Sequence, residues 1–403
     1  MKVTIYPSTL SGKISARASK SQAHRQLICA ALSDNPCRIY CDTLSEDITA
    51  TAGCLNALGA EIEYAYGVFS VIPIKTPKTD TLLDCKESGS TLRFLISVVA
   101  VLGTNSVFKM SGRLPERPLS PLKEELESHG IIFSRPSPDT LKISGKLSGG
   151  DFKLDGSVSS QFISGLLFAL PLFDTPSSVT VTGDIQSADY INMTVDAINS
   201  FGGKISRENN SFTAAKGYFS KDKYLVEGDW SNAAFWLCSD KLCNNNIECT
   251  NLNPLSSQGD KEVVNILKTF GSDYVEIDAA NIPDLVPVLS VTATVLNGKT
   301  VIKNAERLKL KESDRIKTTC ELINLLGGKA KETSDGLIIT GTKELKGGCV
   351  DSFNDHRIAM SAAVASLVCS QPVIIKNAEA VSKSYPDFWD DFIKLGGKIE
   401  IEN

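Results

Sequence analysis

The stretch LNALGAEIE, residues 55–63, reads as a helix end, a glycine able to take a left-handed cap, and a strand that begins at once. Gly59 is its centre. The phrase returns as LESHGIIFS around Gly130, INSFGGKIS around Gly202, LKTFGSDYV around Gly271, INLLGGKAK around Gly327 and IKLGGKIE around Gly396. Successive spacings are 71, 72, 69, 56 and 69 residues. One such phrase is commonplace, whereas six at near-constant spacing mark an internal repeat.

A second marker runs in register with the first. Polar clusters open nearly apolar runs at Ser19-Lys20-Ser21, Ser88-Gly89-Ser90-Thr91, Ser159-Ser160-Gln161, Asp229 to Asn232, Pro283-Asp284 and Asn354 to Arg357. From Ser21, Ser90, Ser160, Ser231, Asp284 and Asp355 to the next cap glycine the gaps are 38, 40, 42, 40, 43 and 41 residues. Runs such as Leu92 to Leu102, Phe162 to Leu172 and Ile358 to Val368 are apolar on all sides, which predicts buried helices. The helix bearing the glycine phrase is more amphipathic; Ile316, Cys320, Ile323 and Leu326 form one stripe. Each copy thus reads as strand, buried helix, strand, amphipathic helix, strand, strand. Six copies grouped three and three predict an α/β protein of two similar domains.

Composition bounds the partners. Lys and Arg number 42 against 47 Asp and Glu, a net charge of −5, which lacks the basic footprint of a nucleic-acid or membrane-surface binder. Three histidines and eleven cysteines without a C-x-x-C pair disfavour a metal centre, and Cys37 and Cys41, or Cys238, Cys243 and Cys249, match no common zinc spacing. Scattered thiols suit a reducing cytoplasm. Met1 to Leu10 has no apolar core of a secretory signal, and no apolar run reaches the ~18 residues needed to span a bilayer.

Helices that begin with Ser, Thr, Gly, Asp or Asn present free N–H groups and a positive dipole end. Singly, each cluster is a good helix cap. The cations in or beside them, Lys20, Arg25, Arg93, Arg113, Arg117, Lys311, Arg315, Arg357 and Lys383, point instead to phosphate or carboxylate groups on small ligands. Ser21 and Arg25, four apart, share a helix face, and Lys311 and Arg315 are expected to repeat that geometry. Asp284, Glu312 and Asp314 are candidates for acid–base work, with a cap or an ion pair as the plainer role for each. Of the histidines, His129 reads as structural, His24 as packing, and His356 as the one near a ligand.

These motifs resemble one family. SKSQAHR, ESGSTLRF, GRLPERP, SSQF, EGDWSNAAF, RLKLKESDRI, NDHRIAM and KSYPDFW occur in order from Lys20 to Lys383, and together they are similar to the EPSP synthases (3-phosphoshikimate 1-carboxyvinyltransferases). The resemblance implies the enolpyruvyl transferase fold, an inside-out barrel with three βαβαββ units per domain around buried parallel helices. It implies a first domain of residues 1–13 and 228–403, a second of 14–227, and an active site in the cleft between them. Each half then carries only part of the cation set, so closure on ligand is expected.

The implied reaction joins phosphoenolpyruvate to the 5-hydroxyl of shikimate 3-phosphate and releases phosphate through a tetrahedral ketal. By resemblance, shikimate 3-phosphate contacts fall on Lys20, Ser21, Arg25, Ser159, Ser160, Gln161, Ser187, Asp284 and Lys311, with Tyr190 adjacent. Phosphoenolpyruvate contacts fall on Lys20, Gly89, Arg117, Gln161, Arg315, Arg357 and Lys383. Asp284, Lys311 and Glu312 carry the protons. No metal or organic cofactor is implied, and the expected partners are small anionic substrates acting on a cytoplasmic monomer, with no nucleic acid or membrane. Departures are Glu87-Ser88 where many relatives carry Asn-Ala, Ser90 for Thr, Lys309 for Arg, and Arg307 where some members have an asparagine ligand. The rival readings are the sister enzyme acting on UDP-N-acetylglucosamine, and a non-catalytic anion-binding protein on the same scaffold. The first is disfavoured by Lys20-Ser21 and the absence of a loop cysteine, the second by intact Asp284, Lys311 and Glu312.

Overall fold

A computed structural model of the protein describes residues 1–244 and 247–402. All six repeat glycines lie in the left-handed region, with φ between +78° and +117°. Around Gly59 the reason is local. Ser45 caps the helix Glu46–Leu58 by accepting from the Ile48 N–H, Glu46 and Asp47 complement its positive end, and the Gly59 N–H closes it on the Asn56 and Leu55 carbonyls. Asn56 then latches the strand Glu61–Ala65. Its amide donates to the Ile62 carbonyl at 3.1 Å and its oxygen accepts from the Ile62 N–H at 2.7 Å. Asn324 makes the same pair of bonds with Ala330, and Asn199 accepts from the Ile205 N–H. An asparagine three residues before the glycine is therefore a second working part of the phrase in three of its copies.

The chain divides into two compact units, Ala18–Val226 and Met1–Arg17 with Glu227–Asn403. Each has its own core. In the continuous unit, Leu82–Asp84, Val107–Lys109, Thr140–Ser144 and Ile132–Ser134 form a sheet whose first pair is parallel and whose remaining pairs are antiparallel. That is the pattern of a βαβαββ unit, with the helix Gly89–Leu102 between the first two strands. Asp151–Asp155, Ser178–Thr182, Ser211–Ala214 and Ile205–Glu208 repeat it. In the third sheet the leading strand is supplied from the far end of the unit: Lys223–Leu225 pairs in parallel with Cys37–Tyr40.

The discontinuous unit contains one uninterrupted copy, Tyr274–Asp278, Lys299–Lys303, Leu337–Thr340 and Lys329–Glu332. Its last copy borrows a strand. Lys2–Tyr6 lies between Val373–Lys376 and Lys398–Glu402, antiparallel to both. Gly12–Ser15 pairs in parallel with Ile247–Thr250, which keeps residues up to Arg17 with this unit. The copy around Gly271 departs from the six equal units expected. Among the described residues its sheet has two strands, and Gly271 leads directly into Tyr274–Asp278. The missing hairpin accounts for the short 56-residue interval to Gly327.

The helices Gly89–Leu102, Ser160–Ala169, Val286–Ala293 and His356–Ser366 are buried nearly throughout, as apolar residues on every side require. Among the described residues, no helix is long and apolar enough to cross a membrane.

Candidate active site

In the continuous unit the polar residues gather at the starts of the buried helices. Gly165 lets Ser160–Ala169 approach Gly89–Leu102 so closely that a Cβ there would lie 2.5 Å from the Arg93 carbonyl oxygen. One turn earlier, Gln161 bridges the two helices. Its oxygen accepts from Arg93 NH1 at 2.7 Å, and its amide donates to Ser90 Oγ at 2.9 Å. Ser159 caps the Gln161 N–H, and Ser160 beside it is buried. Arg117 comes from the loop after the 3-10 turn Leu114–Glu116 and lies against Gly89, where a Cβ would meet its NH1 at 2.6 Å. A side chain at 89 would displace the Arg117 guanidinium from this position. Arg113, by contrast, is half exposed and faces Glu116 at 3.9 Å.

Arg25 is 2% exposed, with Phe94 5.0 Å from its guanidinium carbon. It donates to Thr194 Oγ1 at 2.8 Å, the Ser21 carbonyl at 2.6 Å and the Tyr190 carbonyl at 2.9 Å. All three partners are uncharged, and burial pushes the Arg25 pKa down to about 10. A buried cation held only by neutral dipoles stabilises an arriving anion strongly. Ser187 is buried at the start of the helix Ala188–Ser200, in the left-handed conformation at φ +55°. Lys20 pairs with Asp47 at 2.9 Å.

The discontinuous unit holds a denser ionic cluster. Arg315, 1% exposed in its side chain, contacts Asp284 at 2.7 Å, Glu312 at 2.8 Å and Asp355 at 2.8 Å. Lys311 Nζ lies 3.5 Å from Asp284, and Arg357 NH2 3.6 Å from its other oxygen. Burial alone would raise the Asp284 carboxyl, but Lys311, Arg357 and Arg315 hold it well below the usual carboxylate range. Burial opposes the charge on Arg315 as well; Asp355, Glu312 and Asp284 outweigh it and keep the guanidinium firmly protonated. Arg357 also donates to the Ser231 carbonyl at 3.0 Å, and Lys383 to the Asn354 carbonyl at 2.7 Å.

Two expectations change. Lys311 and Arg315 are not a helical pair: Lys311 is extended at the end of the 3-10 segment Glu306–Leu310, and Arg315 opens the helix Arg315–Leu325. They converge on Asp284 through tertiary structure. Asp314 takes the plainer role and caps that helix by accepting from the Lys317 N–H. His129 is structural, 3.4 Å from Glu125 and packed on Phe152. The sequence reading missed Asp260, which is 2% exposed and accepts from Ser231 Oγ. Burial, and then the charge of Asp284, push its carboxyl up to about 7. Only its place after Gln258-Gly259, near no cation of the motifs, was available to mark it.

Such a set of buried cations beside ionised and neutral carboxyls can bind two anions and move protons at a hydroxyl or a carbon. Comparison with known proteins agrees with that chemistry. The sequence model of EPSP synthase (3-phosphoshikimate 1-carboxyvinyltransferase) matches residues 5–392. The chain is 43% identical to the 3-phosphoshikimate 1-carboxyvinyltransferase of Clostridium acetobutylicum, covering 98% of each chain. It is 42% identical to that of Clostridium perfringens, covering both in full. Among solved structures it superposes on the EPSP synthase of Acinetobacter baumannii with a TM-score of 0.82 at 24% identity over both whole chains. The enolpyruvyl transferase NikO of Streptomyces tendae gives 0.77 at 16% identity, covering 99% and 98%. The repeat, the ordered motifs and full-length identity above 40% converge, and the chain belongs to the EPSP synthase family.

Proposed function

We propose that the chain transfers the enolpyruvyl group of phosphoenolpyruvate to the 5-hydroxyl of shikimate 3-phosphate and releases phosphate, as a cytoplasmic monomer whose partners are small anions. The observation that carries the reading is Arg25, a buried guanidinium whose three hydrogen-bond partners are all uncharged. A phosphate monoester supplies the missing charge. Lys20, Ser21, Ser159, Ser160, Gln161, Ser187, Asp284 and Lys311 complete the shikimate 3-phosphate set, and Lys20, Gly89, Arg117, Gln161, Arg315, Arg357 and Lys383 take phosphoenolpyruvate.

In the addition step Asp284 accepts the 5-hydroxyl proton as that oxygen bonds to C2 of phosphoenolpyruvate, while Glu312 or Lys311 protonates the methylene carbon. In the elimination step a methyl proton returns to that acid and phosphate leaves. Before ligand arrives, Lys311, Arg315 and Arg357 surround Asp284 and suppress its basicity. Anions that draw Lys311 and Arg357 toward themselves raise the Asp284 pKa as the substrates assemble, which tunes the base to its task.

Phosphate release measured with shikimate 3-phosphate and phosphoenolpyruvate together should be robust, and absent when UDP-N-acetylglucosamine replaces the shikimate. The reverse pattern would overturn the assignment, and silence with both would leave only an anion-binding protein. Asp284→Ala should keep ligand binding and lose on the order of 10²–10⁴-fold in kcat. Turnover like that of the unmutated enzyme would remove Asp284 from the chemistry.

A further inference from the structure

His24 has no part in the reaction as described, yet it is fully buried and begins a chain of hydroxyls that ends at the phosphoenolpyruvate side of the site. Its Nδ1 lies 2.7 Å from Thr51 Oγ1, Thr51 Oγ1 lies 2.6 Å from Thr91 Oγ1, and Thr91 Oγ1 donates to Ser88 Oγ at 2.7 Å. None of the four side chains is exposed. The chain ties together the helices Lys20–Ala31, Glu46–Leu58 and Gly89–Leu102.

Each hydroxyl carries one proton, so one assignment orders the rest. Thr91 spends its proton on Ser88 and must accept from Thr51. Thr51 has then spent its own and must accept from His24, which places the ring proton on Nδ1. Nε2 is left as a bare, buried acceptor with no hydrogen-bond partner. A second ring proton is opposed by burial and by the neighbouring charges of Lys20 and Arg25, which keep His24 neutral.

The far end of the chain matters because Ser88 precedes Gly89. Ser88 Oγ accepts from both the Thr91 N–H and the Thr91 hydroxyl, while Ser90 on the other side of Gly89 is held by Gln161. The backbone of Gly89 is therefore pinned on both flanks while the Arg117 guanidinium rests against it. We propose that His24, Thr51, Thr91 and Ser88 form a proton-ordered ladder that fixes the Ser88–Gly89 turn, which makes Thr91 a positioning residue for the anionic end of phosphoenolpyruvate. The proposal rests on the reading of Gly89 and Arg117 as ligands of that substrate.

Thr91→Val keeps the shape and removes the hydroxyl, leaving Ser88 and Thr51 each short of a partner. It should raise KM for phosphoenolpyruvate about tenfold while KM for shikimate 3-phosphate stays within about twofold, and Thr91→Ser should restore the value. A purely structural role would lower the active fraction, and hence kcat, without separating the two KM values. In parallel, ¹⁵N resonances of the three histidines in the unmutated protein, with His24 identified by its loss in His24→Gln, should show the Nδ1–H tautomer. An Nε2–H or cationic His24 ring overturns the proton order even if Thr91→Val fails to fold. Gly89→Ala separates the two layers. If it raises KM for phosphoenolpyruvate while Thr91→Val does not, the ladder is wrong and the ligand reading stands. If Gly89→Ala leaves that KM unchanged, the ligand reading fails and takes the proposal with it.

Discussion

Asp260 and Asp284 are two buried carboxyls of one cluster driven in opposite directions. Asp284 faces three cations and is held ionised, whereas burial and then the charge of Asp284 push Asp260 up to about 7 against the opposing hydrogen bond from Ser231. For Asp260 the folded state holds its proton more tightly than the unfolded chain, whose value is near 3.8. Its contribution to stability is therefore present below about pH 4 and is lost as pH rises toward 7. Asp284 acts oppositely and in a lower window, losing its contribution only as pH falls below 3.8. Urea unfolding of the protein and of Asp260→Asn at pH 5 and pH 7.5 separates the two: the variant should gain on the parent at the higher pH. A gap independent of pH would show that Asp260 is ionised when folded. At this scale the sequence exposed Lys311 and Arg315 because they stand in a charged motif, and Asp284 because it opens an apolar run. It concealed Asp260, whose perturbation comes first from burial and then from Asp284, both of which folding alone supplies.

The repeated phrase shows how far local chemistry reaches at the scale of an element. Glycine at the cap was legible because only a residue without Cβ enters φ near +100° without strain. The asparagine latch at Asn56, Asn199 and Asn324 belongs to the same phrases, yet its meaning needs the following strand in place to accept and donate. Asn56→Ala removes two hydrogen bonds to Ile62 and should cost about 1–2 kcal/mol in denaturant unfolding, with the helix Glu46–Leu58 retained. A change within about 0.3 kcal/mol would mean that water replaces the side chain at no loss. The Lys311–Arg315 spacing teaches the converse. A separation of four residues suits one helix face, but Asp314 caps a helix that begins between them, so the spacing reflects convergence on Asp284.

Across the whole molecule, sheets are completed by strands from distant parts of the chain. Lys2–Tyr6 is an inner strand of the last sheet, with Ile5 opposite Val373 and Ile399 and fully buried. Chain ends usually fray and tolerate change. Here Ile5→Ala should cost about 2–5 kcal/mol, as for a central core position, measured by urea unfolding. A loss below about 1 kcal/mol would show that this strand is dispensable. The two-stranded sheet at Ile247–Thr250 marks the copy without its hairpin, and the 56-residue spacing is the trace of that shortening in the sequence. Sequence by itself determined the repeat, the capping glycines, the buried helices and the cation-rich motifs, because each depends on residues within a turn or two of one another. Tertiary structure alone decided that Lys2–Tyr6 completes the last sheet, that Arg25 meets only uncharged partners, and that Asp260, Asp284 and Arg357 share one electrostatic site. Those outcomes depend on desolvation and on charges brought close by folding, and neither has a signature in local sequence.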